Sequence, residues 1–289
     1  MKAKVNGKNF ESWVMGQVLK KIKEYENNIH GENCCVGFPD LADLPPEISL
    51  CVLSHLNATD LCLAACVWGE LAQDQILWQS LCRSQWGYAS IYCRKKNSNF
   101  SYHQLYLQLD EGTVTFNADA FMGMDYFVKH QLVDDNPQEI ARFIHNTRTL
   151  NIRQKRLYLN SRRDVLSHLI ELHNFSNQFL PQALRNFFQT LQAPNQLDGY
   201  LHFLLEKFSA RFCQCNPKLQ LNTDMVYILC FSLIMLSVDL TSPHIKNKMS
   251  KREFIRNVRY AIRKADDEYF GHMYDDVYLR GHIAPNSGD

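Results

Sequence analysis

The side chains best suited to hold a metal or act as nucleophiles are ten cysteines and eleven histidines, and their spacing argues against both roles. No Cys-x-x-Cys pair occurs, and Cys213-x-Cys215 has the wrong spacing for a common zinc knuckle. His168 and His173 are five apart, which does not place them together on a helix face. Asp164 and Glu171, near His168, read as charges on a helix surface. No phosphate-binding glycine loop, nucleophile elbow or kinase signature is present. The expectation is therefore no metal, no cofactor and no intrinsic bond-making catalysis. One charged pattern stands out. Arg252, Arg256, Arg259 and Arg263 fall at i, i+4, i+7 and i+11, while Ile255, Val258 and Ile262 form an apolar stripe. A basic helix face of this kind suits anionic lipid, an acidic protein surface or plain solvent.

Composition narrows the setting for these residues. Lys+Arg 31 against Asp+Glu 30 leaves a formal charge of +1, so no global field draws the chain to nucleic acid, and no nucleic-acid motif is present. A hydrophobic fraction of 46% is that of an ordinary globular chain, long enough for two domains. Scattered cysteines without a signal peptide imply reduced thiols and a cytoplasmic location, with any membrane contact peripheral. The apolar run Met225–Val238 is too short to span a bilayer, which needs about twenty residues, and reads as a buried core helix. Met1-Lys2 excludes an N-terminal myristoyl signal, which needs glycine second.

The elements that must position these residues are helices. In residues 1–36, Phe10, Trp13, Val14, Val18, Ile22 and Tyr25 recur at helical spacing, as in an interfacial helix or one lying on its own protein. Residues 37–84 hold three short helices. Pro46 opens the first, which carries Ile48, Val52 and Leu56; Thr59 or Asp60 caps the second; Leu71 and Trp78 belong to the third. Residues 85–112 read as a linker with a short helix over Tyr102–Leu109, and 282–289 as a flexible tail. Residues 113–281 form a second all-α region whose helices start at Asn136-Pro137, Pro181, Thr223 and a Ser250/Glu253 capping box.

The first module resembles an F-box. Leu44-Pro45, Glu47, Leu53, Leu56, Asp60-Leu61, Leu63-Ala64, Trp68, Leu71-Ala72 and Leu77-Trp78 stand at family spacing. The resemblance implies docking onto Skp-one, and through it onto a cullin–RING ubiquitin ligase, by Leu44, Pro45, Ile48, Leu53, Leu56, Leu61, Trp68 and Trp78. The second module resembles the Arf guanine-nucleotide exchange domain, the Sec-seven fold. Phe116-Asn117, Gly123, Ile140-Ala141-Arg142-Phe143, Leu150-Asn151, Ala183-Leu184-Arg185, Arg211-Phe212-Cys213 and Phe231–Leu236 carry that likeness. It implies an α-helical superhelix with an apolar groove gripping an Arf-type GTPase through Pro194, Leu197, Phe208, Phe231, Met235, Ser237 and Pro243. The groove lies between helices over about Leu197–Phe212 and Thr223–Val238.

Two departures from the family pattern touch the chemistry. The family's acidic finger reads Leu-Pro-Gly-Glu; here Ala193-Pro194-Asn195-Gln196-Leu197-Asp198 puts Gln196 where the glutamate belongs, with Asp198 as a shorter, displaced substitute. Ser237 replaces an expected asparagine. GDP is held by its phosphates, Mg²⁺ and a phosphate-loop lysine, and a carboxylate pushed into that site repels the β-phosphate. An amide carries no charge to do so. The expectation is an adaptor that binds an Arf-type GTPase with weak or absent exchange activity. The alternative is an active exchange factor whose F-box serves its own turnover.

Overall fold

A computed structural model describes residues 40–95, 99–192, 199–219, 221–262 and 266–284. No strand occurs among them; Trp86 and Thr147 form an isolated antiparallel bridge. The chain is all-α and divides into two compact units. The 1–36 helix lies outside the described residues.

The first unit holds helices α1 (Pro46–Leu53), α2 (Ala58–Ala64), α3 (Gly69–Ala72) and most of α4 (Gln75–Gln85), together with the first turns of α5 (Tyr102–Ala118). Pro46 takes the first position of α1, where a missing N–H leaves nothing unsatisfied. The buried face of α1 is Ile48, Ser49 and Leu53, not the expected Ile48–Val52–Leu56 stripe; Val52 is exposed. Ser49 turns inward because its hydroxyl donates to the Leu41 carbonyl at 2.6 Å. The cap of α2 is Asn57, earlier than expected. Its Oδ1 accepts from the Asp60 N–H at 2.9 Å while its Nδ2 donates to the Asp60 carboxylate at 2.8 Å. Asp60 is thus the partner of the cap rather than the cap.

Trp78 is the centre of this unit. It is 2% exposed, donates to the Ala72 carbonyl at 2.9 Å, and packs against the His103 and Tyr106 rings at 4.2 and 5.4 Å. Tyr102, Leu105 and Tyr106 are buried here, and the Tyr102 N–H is held by Gln75 Oε1 at 2.8 Å. The expected linker is therefore structural at both ends. Residues 99–108 complete the core of the first unit, and residues 85–95 belong to the second, where the Trp86 indole donates to Thr113 Oγ1 at 2.9 Å.

The second unit runs from the rest of α5 through α6 (Ala120–Lys129), α7 (Pro137–Asn146), α8 (Ile152–Ser161), α9 (Arg163–Glu171), α10 (Leu180–Thr190), α11 (Gly199–Cys215), α12 (Thr223–Thr241), α13 (Lys251–Ala261) and α14 (Asp267–Arg280). Side-chain oxygens of Asp119, Asn136, Asn151, Asn222 and Asp266 cap their helices, and Ser250 with Glu253 closes a capping box. Gly112 sits inside α5. A Cβ there would lie 2.4 Å from the Phe127 ring, and one at Gly123 would lie 2.2 Å from Phe116 Cα. The two glycines let α5 and α6 touch backbone to side chain. Alanine normally gains about 1 kcal/mol over glycine inside a helix. At Gly123 the contact is with main-chain atoms that cannot swing aside, so overpacking of about 1–3 kcal/mol prevails. Gly123→Ala is expected to lower the melting temperature by several degrees; an unchanged or raised midpoint in calorimetry would count against this packing.

The expected tail starts as a fastened segment. Ile283 is fully buried, and the guanidinium of Arg185 on α10 reaches the His282 and Gly281 carbonyls at 3.4 and 3.5 Å. The same guanidinium pairs with Asp276 at 2.8 Å, and Arg280 also reaches Asp276. This ties α10, α14 and the following residues into one cluster.

Candidate functional site

Helices α11 and α12 pack side by side. Leu204, Leu205, Phe208 and Phe212 of α11 and Val226, Leu229, Leu233 and Leu236 of α12 are buried in the core. Residues 223–241 are long and apolar enough to cross a membrane by length and composition, yet the helix packs against α10, α11, α13 and α14. A helix apolar on all sides is one meant to be covered on most of them.

The remaining side of α12 is a stripe of half-buried side chains. Tyr227, Phe231 and Met235 follow one another at i, i+4 and i+8. His202, exposed on α11, lies parallel to the Tyr227 and Phe231 rings at centroid distances of 6.4 Å, and its Nδ1 bonds the Tyr227 hydroxyl. Beside it, Phe203 sits under the Arg163 guanidinium and the Lys207 ammonium at 5.3 and 5.4 Å. The far end is fixed by Lys248, whose ammonium donates to the Asp239 carbonyl at 2.7 Å and to the Ser242 carbonyl. It thereby satisfies carbonyls that the end of α12 leaves open. Asp239 in turn accepts from the Met249 N–H at 2.8 Å. These bonds secure the loop that presents Pro243 to solvent.

Of the expected groove residues, Phe231, Met235 and Pro243 reach the surface. Phe208 and Ser237 do not. Phe208 is fully buried against the rings of Phe175, Phe187 and Phe212. Ser237 is fully buried, donates to the Ile234 carbonyl at 2.8 Å and meets His282 Nδ1 at 3.3 Å. Both therefore support the face from beneath. Pro194, Gln196, Leu197 and Asp198 lie outside the described residues. His202 and Tyr227 were missed, although Tyr227 stands one turn before Phe231 and signals the stripe.

In the first unit, Ile48, Leu53, Leu61 and Trp78 are core, whereas Leu44, Pro45, Leu56 and Trp68 are partly exposed. The Ala42 N–H, and after it the Trp68 indole at 2.6 Å, donate to the Asp40 carboxylate and hold that carboxyl below its usual range. The apolar surface was not foreseen: Val52, Leu63, Val67 and Ile76 are 45%, 64%, 70% and 66% exposed.

Burial shifts several of the titratable groups in the cores. Desolvation pushes the Cys82 thiol up to about 12 and the Cys230 thiol up as well. His145 and His173 meet edge to face at 5.3 Å, and burial lowers both. Among the described residues no group of three or more His, Cys, Asp or Glu side chains is placed to hold a metal.

Residues 106–280 match the Sec7 domain model, and residues 41–84 match the F-box-like model. The chain belongs to the Sec7 domain family. It joins this Sec7 domain to an F-box-like domain. It is 57% identical over 252 residues to F-box only protein 8 of Homo sapiens, covering 86% of this chain and 79% of that one. It is 31% identical over 179 residues to brefeldin A-inhibited guanine nucleotide-exchange protein 1 of Arabidopsis thaliana, covering 60% of this chain and 11% of the other. Among solved structures, that of ARF1-GDP bound to a Sec7 domain complexed with brefeldin A aligns with a TM-score of 0.56 at 22% identity. That alignment covers 63% of this chain and 95% of the other, and bears on the fold.

Proposed function

We propose that this chain is a substrate-recognition adaptor of an SCF (Skp-one–cullin–F-box) ubiquitin ligase. The F-box-like domain holds Skp-one, and the Sec7 domain holds an Arf-family GTPase on the face built from His202, Tyr227, Phe231 and Met235. The observation that carries this is the joining, in one chain, of an F-box-like match to a Sec7 match. A half-exposed aromatic stripe on two long Sec7 helices supports it, since aromatic side chains dominate interface energetics. Tethering both partners to one chain raises the effective concentration of ligase near the GTPase without new contacts. The chain then works in the cytoplasm, peripheral to membranes, and ubiquitination attenuates Arf signalling.

The ligase face consists of Leu44 and Pro45 with the exposed apolar side chains Val52, Leu63, Val67 and Ile76, while the buried residues hold them in place. Pull-down with the full chain tests the proposal. Native protein captures both Skp-one and a nucleotide-loaded Arf. Phe231→Ala weakens Arf capture about ten-fold or more, as truncation of a central aromatic does, and leaves Skp-one capture intact. Failure to capture any Arf in either nucleotide state, or indifference to Phe231→Ala, overturns it.

A further inference from the structure

We propose that the outward face of α13, made by Arg252, Arg256, Arg259 and Tyr260, docks on an anionic membrane surface. This rests on neither the ligase nor the GTPase assignment. Helix α13 buries Phe254 and Val258, with Ile262 just beyond its end. At 100° per residue the three arginines and Tyr260 fall on the opposite side. All four are exposed, and Tyr260 reaches 91%.

Two of the three arginines on this face stand outside any ion pair among the described residues. Lys251 is drawn aside by Asp275 at 2.6 Å and Arg259 pairs with Asp267 at 3.0 Å, an exposed bridge that headgroup phosphates can outcompete. Arg252 and Arg256 take part in none of the ion pairs formed among the described residues. Glu253, the acid on the same helix, is held by the Ser250 N–H and hydroxyl at 2.9 and 2.7 Å and meets the Arg256 charge only through space. The whole chain carries a formal charge of only +1, so this basic face is a local concentration rather than part of a general excess.

Arg256, Asn257, Arg259 and Tyr260 line an open hollow of about 470 Å³. Two guanidiniums, an amide and a phenol offer hydrogen-bond donors suited to phosphate oxygens. A protein partner would require a desolvated apolar pocket around its anchor. Here the hollow is wide, bordered by two guanidiniums, and carries a tyrosine, the residue type that sits at headgroup level. Exposed guanidiniums beside an outward-facing tyrosine thus favour a lipid surface over a protein.

The test is flotation of the full chain with phosphatidylcholine vesicles, with and without phosphatidylserine. The native chain should float only with the anionic vesicles, and salt should release it. Each arginine near an anionic surface contributes about five-fold to partitioning, so Arg252→Glu with Arg256→Glu should cost roughly 25-fold or more. The variant's thermal midpoint should not change, because both side chains are exposed. Equal flotation of native and variant chains, or no anionic preference at low salt, overturns the proposal. So does a double variant whose loss is confined to capture of an acidic GTPase, which would make this face a protein interface.

Discussion

Gln196→Glu is expected to accelerate GDP release from an Arf bound to this chain by up to about three decades over the native protein. Exchange by a Sec7-type domain is implied to depend on a carboxylate brought against the β-phosphate, and position 196 supplies an amide. Two unit charges at 4 Å interact by about 4 kcal/mol at an effective dielectric near 20. That energy corresponds to about a thousand-fold in a rate. Glutamine matches glutamate in length and can hydrogen-bond, so the substitution tests charge with little change in shape. Asp198 gives the control. It is shorter and two residues displaced, so Asp198→Asn should leave release by the native chain almost unchanged. Release of a fluorescent guanine nucleotide from a preloaded Arf measures both. Fast release by the native chain, lost on Asp198→Asn or Gln196→Ala, would establish the exchange-factor alternative and end the adaptor-only view.

The helices were legible because their punctuation is local chemistry. Pro46, Asn136-Pro137 and the Ser250/Glu253 box each act within one turn, and each opens a helix in the structure. What a helix faces depends on residues far away in the chain, and there the sequence was silent. The apolar run of α12 has no polar side; the spacing of Tyr227 and Phe231 marks the open stripe, but nothing in the run turns Ser237 inward. Ser237 reads as polar and exposed, yet His282, forty-five residues on, gives it a buried partner. The reason for a glycine at 112, the Phe127 ring, likewise belongs to the next helix. The same limit applied in the first unit. Family spacing marked Ile48, Leu53, Leu61 and Trp78 together with Leu44 and Pro45, but burial separates residues that maintain a shape from those that can touch a partner.

That separation yields the second large effect. Trp78→Ala removes a side chain with 2% exposure, strands the Ala72 carbonyl and empties the space beside His103 and Tyr106. Truncations of this kind cost about 3–5 kcal/mol. A unit this small has a stability of about the same size, so the substitution should unfold it. Skp-one capture should disappear, and the first unit should become sensitive to protease, while the Sec7 domain retains its Arf capture. Leu63→Asp makes the opposite cut. Leu63 is 64% exposed, so a carboxylate there should abolish ligase capture with protease resistance intact. Trp68→Ala lies between them, losing a largely exposed hydrogen bond to Asp40 and about 1 kcal/mol. Limited proteolysis read beside the pull-down separates the three. Native-like resistance in Trp78→Ala would mean that the core of this unit lies elsewhere. Undiminished Skp-one capture by Leu63→Asp would move the ligase face off α2.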